Sequence, residues 1–279
     1  MQENKFVTLS QKVNCYLSYG HSCNARSSPY ASHFVVVVHY EDVVEIPVDG
    51  PFLKIEGTPS IVKVPSVGDI LGDKLTAYAP NTTGIPYFKK TQDGKERDCS
   101  MEIIKQLYDI ARLFDEVPNL DITSKSFGRI AEVELSYRGL DNNPKLIFDD
   151  VRQTSLCLAT RGAEGKGDFQ MLQRGISRIK SFMFRGSYLI DNAIIDAARA
   201  AYIATLLETG QTEIERYNGD PLSIASLEIK SALPNRLSRL KRQSPKAFFF
   251  WAKTSELMSV REVCRPYPPT GQSSRCLGW

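Results

Sequence analysis

Two segments carry the residues best suited to chemistry. Residues 64–89 read VPSVGDILGDKLTAYAPNTTGIPYFK, and residues 102–116 read EIIKQLYDIARLFDE. Each sets a lysine and a carboxylate within one or two helical turns, on a helix whose other face is apolar. Lys74 precedes Leu75, Ala77 and Tyr78, with Asp69 and Asp73 just upstream. Lys105 and Asp109 are spaced i,i+4 and share a face. Two such pairs on separate helices can converge on a polyanion such as a nucleoside triphosphate (NTP), with lysine as the point charge for phosphate. The same spacing describes two solvated helix ion pairs, and the residues alone leave both readings open.

The elements that must position these residues follow from periodicity and breakers. Residues 1–33 lack a periodic apolar pattern and read as an irregular N-terminal segment. Strands are predicted at Phe34–Val38, at Val43–Val48 and, past the turn signal Asp49-Gly50-Pro51, at Ile61–Val64. From Ser66 onward the pattern is helical. Ser66 with Asp69 resembles a capping box at the start of a helix ending near Ala79-Pro80. The stretch Pro80–Pro86 is a loop in which Gly84 allows unusual backbone angles; it either approaches a nucleotide or merely connects. Residues 89–97 are polar and turn-like. A helix over about 100–116 carries Ile103, Leu107, Ile110, Leu113 and Phe114 on one stripe, and further helices cover about 123–138, 145–161, 167–183, 187–208 and 235–257. An Ala-rich seam around Ala193–Tyr202 and the run Phe248–Trp251 read as core; residues 259–279, rich in Pro, Gly and Ser, read as a disordered tail.

DILGDKLTAYAPNTTGIPY followed by EIIKQLYDIARLFD closely resembles the nucleotidyltransferase toxins of the AbiEii/AbiGii abortive-infection family. The likeness continues through IAEVELSYRG (130–139), FQMLQRGISRIKSFMF (169–184) and NRLSRLKRQSPKAFFFWAKT (235–254), and spans roughly residues 43–257. The first two segments are specific and the helical remainder is suggestive. The resemblance implies an α+β fold: a partial nucleotidyltransferase-like domain over 34–120 with an N-terminally incomplete sheet, then a helical bundle over 121–258. It implies that Lys74 contacts nucleotide phosphates and Asp109 completes the site, with Asp69, Asp73 and Lys105 in support. It also implies Mg2+ as cofactor, transfer of a nucleotide from an NTP to an RNA acceptor such as tRNA, and a cognate antitoxin as partner in a toxin–antitoxin pair of phage defence.

The group's first motif, a Gly-Ser turn followed by an Asp-x-Asp pair that holds the divalent ions, is not found in this sequence. Asp42 and Glu45 are the local metal candidates. The expectation is a chain shortened at its N-terminus or degenerated in that motif. The competing functional reading is therefore a catalytically incomplete remnant that binds nucleotide, RNA or a partner.

The 279 residues, 42% hydrophobic, suffice for one large domain or two small ones. A net charge of +3 neither demands nor excludes nucleic acid. The basic residues cluster at Arg174, Arg178, Lys180 and Arg185, and again at Arg236, Arg239, Lys241, Arg242 and Lys246. These runs suit a phosphate backbone or are solvated helix faces. Six cysteines without CxxC spacing and three histidines give no zinc pattern, and Cys157 in an apolar run reads as buried. No signal peptide is recognised and no apolar run approaches the ~18–20 residues of a membrane span, so a soluble cytoplasmic protein is expected.

Overall fold

A computed structural model describes residues 52–54, 61–63, 65–91, 93–182, 187–230 and 232–263. The irregular segment 1–33 and the strands expected at Phe34–Val38 and Val43–Val48 lie outside the described residues. The described chain is mainly helical with two small antiparallel strand pairs, an α+β composition. In chain order the elements are β1 (Phe52–Lys54), β2 (Ile61–Lys63), α1 (Val67–Ala77), β3 (Phe88–Lys90), β4 (Glu96–Asp98), α2 (Ser100–Glu116), α3 (Asp121–Tyr137), α4 (Lys145–Ala159), α5 (Phe169–Arg178), α6 (Ile190–Glu208), α7 (Leu240–Gln243) and α8 (Pro245–Val263). A 3-10 turn over Ile179–Phe182 prolongs α5. β1 pairs with β2 with Leu53 opposite Val62, and β3 pairs with β4 with Lys89 opposite Arg97.

The expected helices form except that the one expected over about 235–257 is divided into a 3-10 turn (Asn235–Arg239), α7 and α8, the break falling at Ser244 before Pro245; α8 continues to Val263, into the stretch read as tail. Residues 89–97, expected as a turn, instead belong to the β3–β4 hairpin. Its strands are exposed throughout β3, so the alternation that announces a strand is missing. The hairpin is closed at both ends instead: at its root the Cys99 amide donates to the Tyr87 carbonyl at 2.9 Å, and at its turn the Thr91 amide donates to the Lys95 carbonyl at 2.8 Å.

One apolar core runs without interruption from Leu71 in α1 to Ala252 in α8, across position 120 where the sequence suggests a boundary. Helix α1 lies against α2 and α3, α2 also meets α5 and α6, and α6 is packed between α4 and α8. The approach of α1 to α3 requires Gly72, because a Cβ there would stand 2.8 Å from the Phe127 amide nitrogen. The Ala-rich face of α6 is buried as expected, and Phe248–Trp251 are all interior, Phe250 meeting Phe114 edge-to-face at 5.4 Å. Cys157 is a buried free thiol. Among the described residues no helix is long and apolar enough to cross a membrane.

Candidate functional site

Helix α1 begins where the sequence places it. The Ser66 hydroxyl accepts from the Asp69 amide at 3.2 Å, and the Asp69 carboxylate accepts from the Ser66 amide at 3.0 Å, closing a capping box. The other Asp69 oxygen accepts from the Ser126 hydroxyl on α3. Both oxygens of Asp69 are thus engaged at the helix start, in helix capping and α1–α3 docking rather than around Lys74, five residues on. The spacing to Ser66 marks the capping role in the sequence, while the docking role has no such mark because the α3 partner is remote along the chain.

One turn further, Asp73 and Lys74 are both buried, the lysine at 0% exposure. The Lys74 ammonium lies 3.2 Å from an Asp109 oxygen on α2, so the two residues singled out from separate segments meet. The Asp109 side chain is 15% exposed, which puts the carboxylate at the edge of the buried pair and the lysine beneath it. Burial raises the Asp109 pKa, while the positive charges of Lys74 and Lys105 work against that rise. Lys105, one turn towards the α2 N-terminus, is partly exposed and extends this charged face. Asp73 differs from its neighbours: among the described residues neither of its oxygens has a hydrogen-bond partner. Burial pushes it up to about 6, against the pull of Lys74 and with the help of Glu134 on α3.

The loop after α1 is a clamped connector. Asp150 on α4 accepts from the Asn81 amide at 2.8 Å, the Asn81 side chain at 2.6 Å and the Thr82 hydroxyl at 2.9 Å. An Arg138 nitrogen donates to the Thr83 carbonyl at 2.7 Å and, more weakly, to that of Gly84. Gly84 does not adopt the unusual angles expected of it. It is needed for space instead, since a Cβ would lie 2.5 Å from the Ala77 carbonyl oxygen and from the Ala79 nitrogen. Asp150 escaped the sequence reading because its partners lie on a loop far earlier in the chain. Its only signal is a second acidic residue, directly after Asp149, on a helix with the apolar residues Leu146, Ile147, Phe148 and Val151 around it.

A second buried charge cluster was also not anticipated. Asp196 on α6 accepts from the Tyr188 hydroxyl at 3.0 Å and lies 3.7 and 3.6 Å from guanidinium nitrogens of Arg112 and Arg199. Burial brings Asp196 up to about 6 despite both arginines. Arg199 also pairs with Asp115 at 2.8 Å and stacks 5.4 Å above the Phe114 ring. Of the basic runs, Arg174 and Arg178 both pair with Asp98 of β4, at 3.2 and 2.6 Å. Lys241 donates to the carbonyls of Ala225 and Leu227, so it works inside the fold.

The fit to the implied Mg2+ is poor among the described residues. A hard divalent ion takes about six oxygen ligands, several of them carboxylate. Asp109 faces the Lys74 ammonium, both Asp73 oxygens are buried without a hydrogen-bond partner, and among the described residues no group of three His, Cys, Asp or Glu side chains converges. Asp42 and Glu45 lie outside the described residues. What the described side chains can do is hold a buried cation against a carboxylate, with a second cation beside it at the surface. No family model, curated protein or solved structure matches this chain.

Proposed function

We propose that this chain is a nucleotidyltransferase-type protein that holds the phosphate tail of an NTP over the α1–α2 contact. The observation that carries this reading is the meeting of Lys74 and Asp109 from two helices, with Lys105 on the same face of α2. A triphosphate at this edge meets Lys105, while Lys74, enclosed beneath Asp109, offsets the charge of that carboxylate. The corresponding reaction joins an acceptor hydroxyl oxygen to the α-phosphorus; the bond to the β-phosphate oxygen breaks, pyrophosphate leaves and the hydroxyl proton passes to solvent. By the sequence resemblance the acceptor is an RNA end, tRNA in particular. A growth-arresting toxin in the cytoplasm, restrained by an antitoxin, belongs to the same proposal.

One observation favours the binding remnant as second reading. Lys74 is fully enclosed and Asp109 is taken up by it, an arrangement better suited to holding than to turnover. Isothermal titration with ATP tests the shared step, with Lys105→Ala as a variant at a partly exposed position. Affinity should fall roughly tenfold, the worth of one charge-assisted contact of about 1.4 kcal/mol. Equal affinity in variant and parent removes the proposed role. Incubation with α-labelled triphosphates and total tRNA separates the two readings, since only a transferase labels the RNA.

A further inference from the structure

The β3–β4 hairpin buries no apolar face, yet it is held firmly to the body of the protein. At its root the Tyr87 hydroxyl accepts from the Asp168 amide at 3.2 Å, and Asp168 in turn caps α5 by accepting from Met171 at 3.0 Å. At the other root the Ser100 amide donates to Asp98 at 2.9 Å, and Asp98 receives both Arg174 and Arg178 of α5. An isolated two-stranded ribbon is marginal in water, so these ties are what fix its shape.

The face so fixed has a particular composition. Phe88 is directly opposite Asp98 in the ladder, so the two side chains share a face, and Phe88 is 45% exposed. Asp98 therefore sets two guanidiniums, each half exposed, beside an uncovered aromatic ring. Burial raises the Asp98 carboxyl, but the Ser100 hydroxyl and amide with Arg174 and Arg178 outweigh it and bring it down to about 2. Asp98 is shared between two arginines, and Arg174, half exposed, carries more guanidinium donors than its one contact with that carboxylate uses. Lys90 follows Phe88 on the same face, opposite Glu96. On the reverse face Lys89 and Arg97 stand directly opposite each other, a like-charge pair that costs stability in a ribbon with little to spare. Glu102 on α2 neutralises Arg97. Among the described residues Lys89 makes no ion pair.

We propose that the Phe88–Arg174–Arg178 face is a docking platform for single-stranded nucleic acid, the ring stacking on a base while the guanidiniums grip flanking phosphates. An exposed ring between cations recognises a strand whose bases are unpaired, because every base offers a π face and every linkage a phosphate. A duplex presents phosphates but no free base, and a lipid surface or acidic peptide gives the ring no planar partner. The platform also leads to the candidate site. The hairpin ends at Asp98, where α2 begins, and Asp109 sits about 14 Å along that helix, past Lys105. As an acceptor surface this face depends on the function proposed above; as a binding surface it stands by itself.

Fluorescence anisotropy with labelled strands of about 12 nucleotides, of RNA and of DNA, at several salt concentrations tests the platform. Both strands should bind, and the matching duplex should bind much more weakly. Phe88→Ala should weaken single-strand binding about tenfold with little change in salt dependence. Arg174→Gln should flatten the salt slope by about 0.7, the value of one lost phosphate contact. Both positions are exposed, and an unchanged melting temperature controls for folding. Duplex binding equal to single strand, or heparin competing equally well with parent and Phe88→Ala, would mark a general polyanion surface and overturn the assignment. Unchanged affinity in both variants would do the same. ATP affinity measured on these variants should match the parent. Strand binding without ATP binding defeats the reading of Lys74 and Asp109 and leaves the platform standing; the converse defeats the platform alone.

Discussion

Replacing Lys74 by Met tests the buried pair most directly. The lysine is fully enclosed and its ammonium is 3.2 Å from Asp109, whose side chain is 15% exposed. Removing one partner of a buried pair costs about 3–5 kcal/mol because the other charge is left uncompensated. Two features place this case near the lower end. Lys105 still lends positive charge to Asp109, and the raised carboxylate pKa lets Asp109 take a proton rather than remain a bare anion. A loss of about 3 kcal/mol corresponds to a fall in melting temperature of roughly 6–12 °C for a chain of this class. Lys74→Met combined with Asp109→Leu removes both charges and should recover to within about 1 kcal/mol of the parent, a coupling of about 2 kcal/mol or more. Urea titrations followed by circular dichroism on the four members of the cycle give this coupling. Single effects that simply add, with no recovery in the double variant, would refute the pairing. If the double variant folds, it also isolates function from stability, since its ATP affinity should be lost while its fold is intact.

Other outcomes follow from neighbouring residues. Asp73 sits at about 6 in the folded chain against 3.8 for an ordinary aspartate, so folding favours its protonated form. Stability is then lost as pH rises from about 4 to about 6, by at most about 3 kcal/mol, and Asp73→Asn should gain on the parent across that window and stay ahead at pH 7.5; a parallel pair of urea midpoint curves at pH 4.5, 6 and 7.5 would contradict this. Asp150→Ala frees the loop amide and side chains of Asn81 and Thr82 and should cost about 3 kcal/mol, with faster hydrogen exchange over residues 80–86. Gly84→Ala drives a methyl into the Ala77 carbonyl and should destabilise by about 1–3 kcal/mol, read as a lowered melting temperature.

The helices were legible because their signals are local. Ser66 and Asp69 announced the start of α1, which ends at Ala77, a little before the expected Ala79-Pro80, and the stripe from Ile103 to Phe114 announced α2 at its observed limits. The hairpin was not legible, since its strands bury nothing and its ties to Asp168, Arg174 and Arg178 come from α5 and its cap. At the candidate site the pattern named Lys74 and Asp109, which meet, and Lys105, which flanks them. Asp69 carries its capping role in its spacing to Ser66, but its docking on Ser126 has no local signal, and both oxygens are engaged there rather than beside Lys74. Asp150 and Asp196 were passed over for the opposite reason. Each is an acid on a buried helix, and Asn81 for the one and Arg112 for the other are brought to it only by tertiary packing.

The grip of Asp150 on the connector has a consequence for genetics. Helix α4 touches neither Lys74 nor the hairpin through that carboxylate, yet it holds the strip of backbone leading from one to the other. Damage to α4 would therefore mimic damage to the charged centre. In a screen for inactive alleles, lesions near position 150 would score alongside those at 74 and 109, and rescue by tightening the connector would tell a broken fastening from a missing reagent.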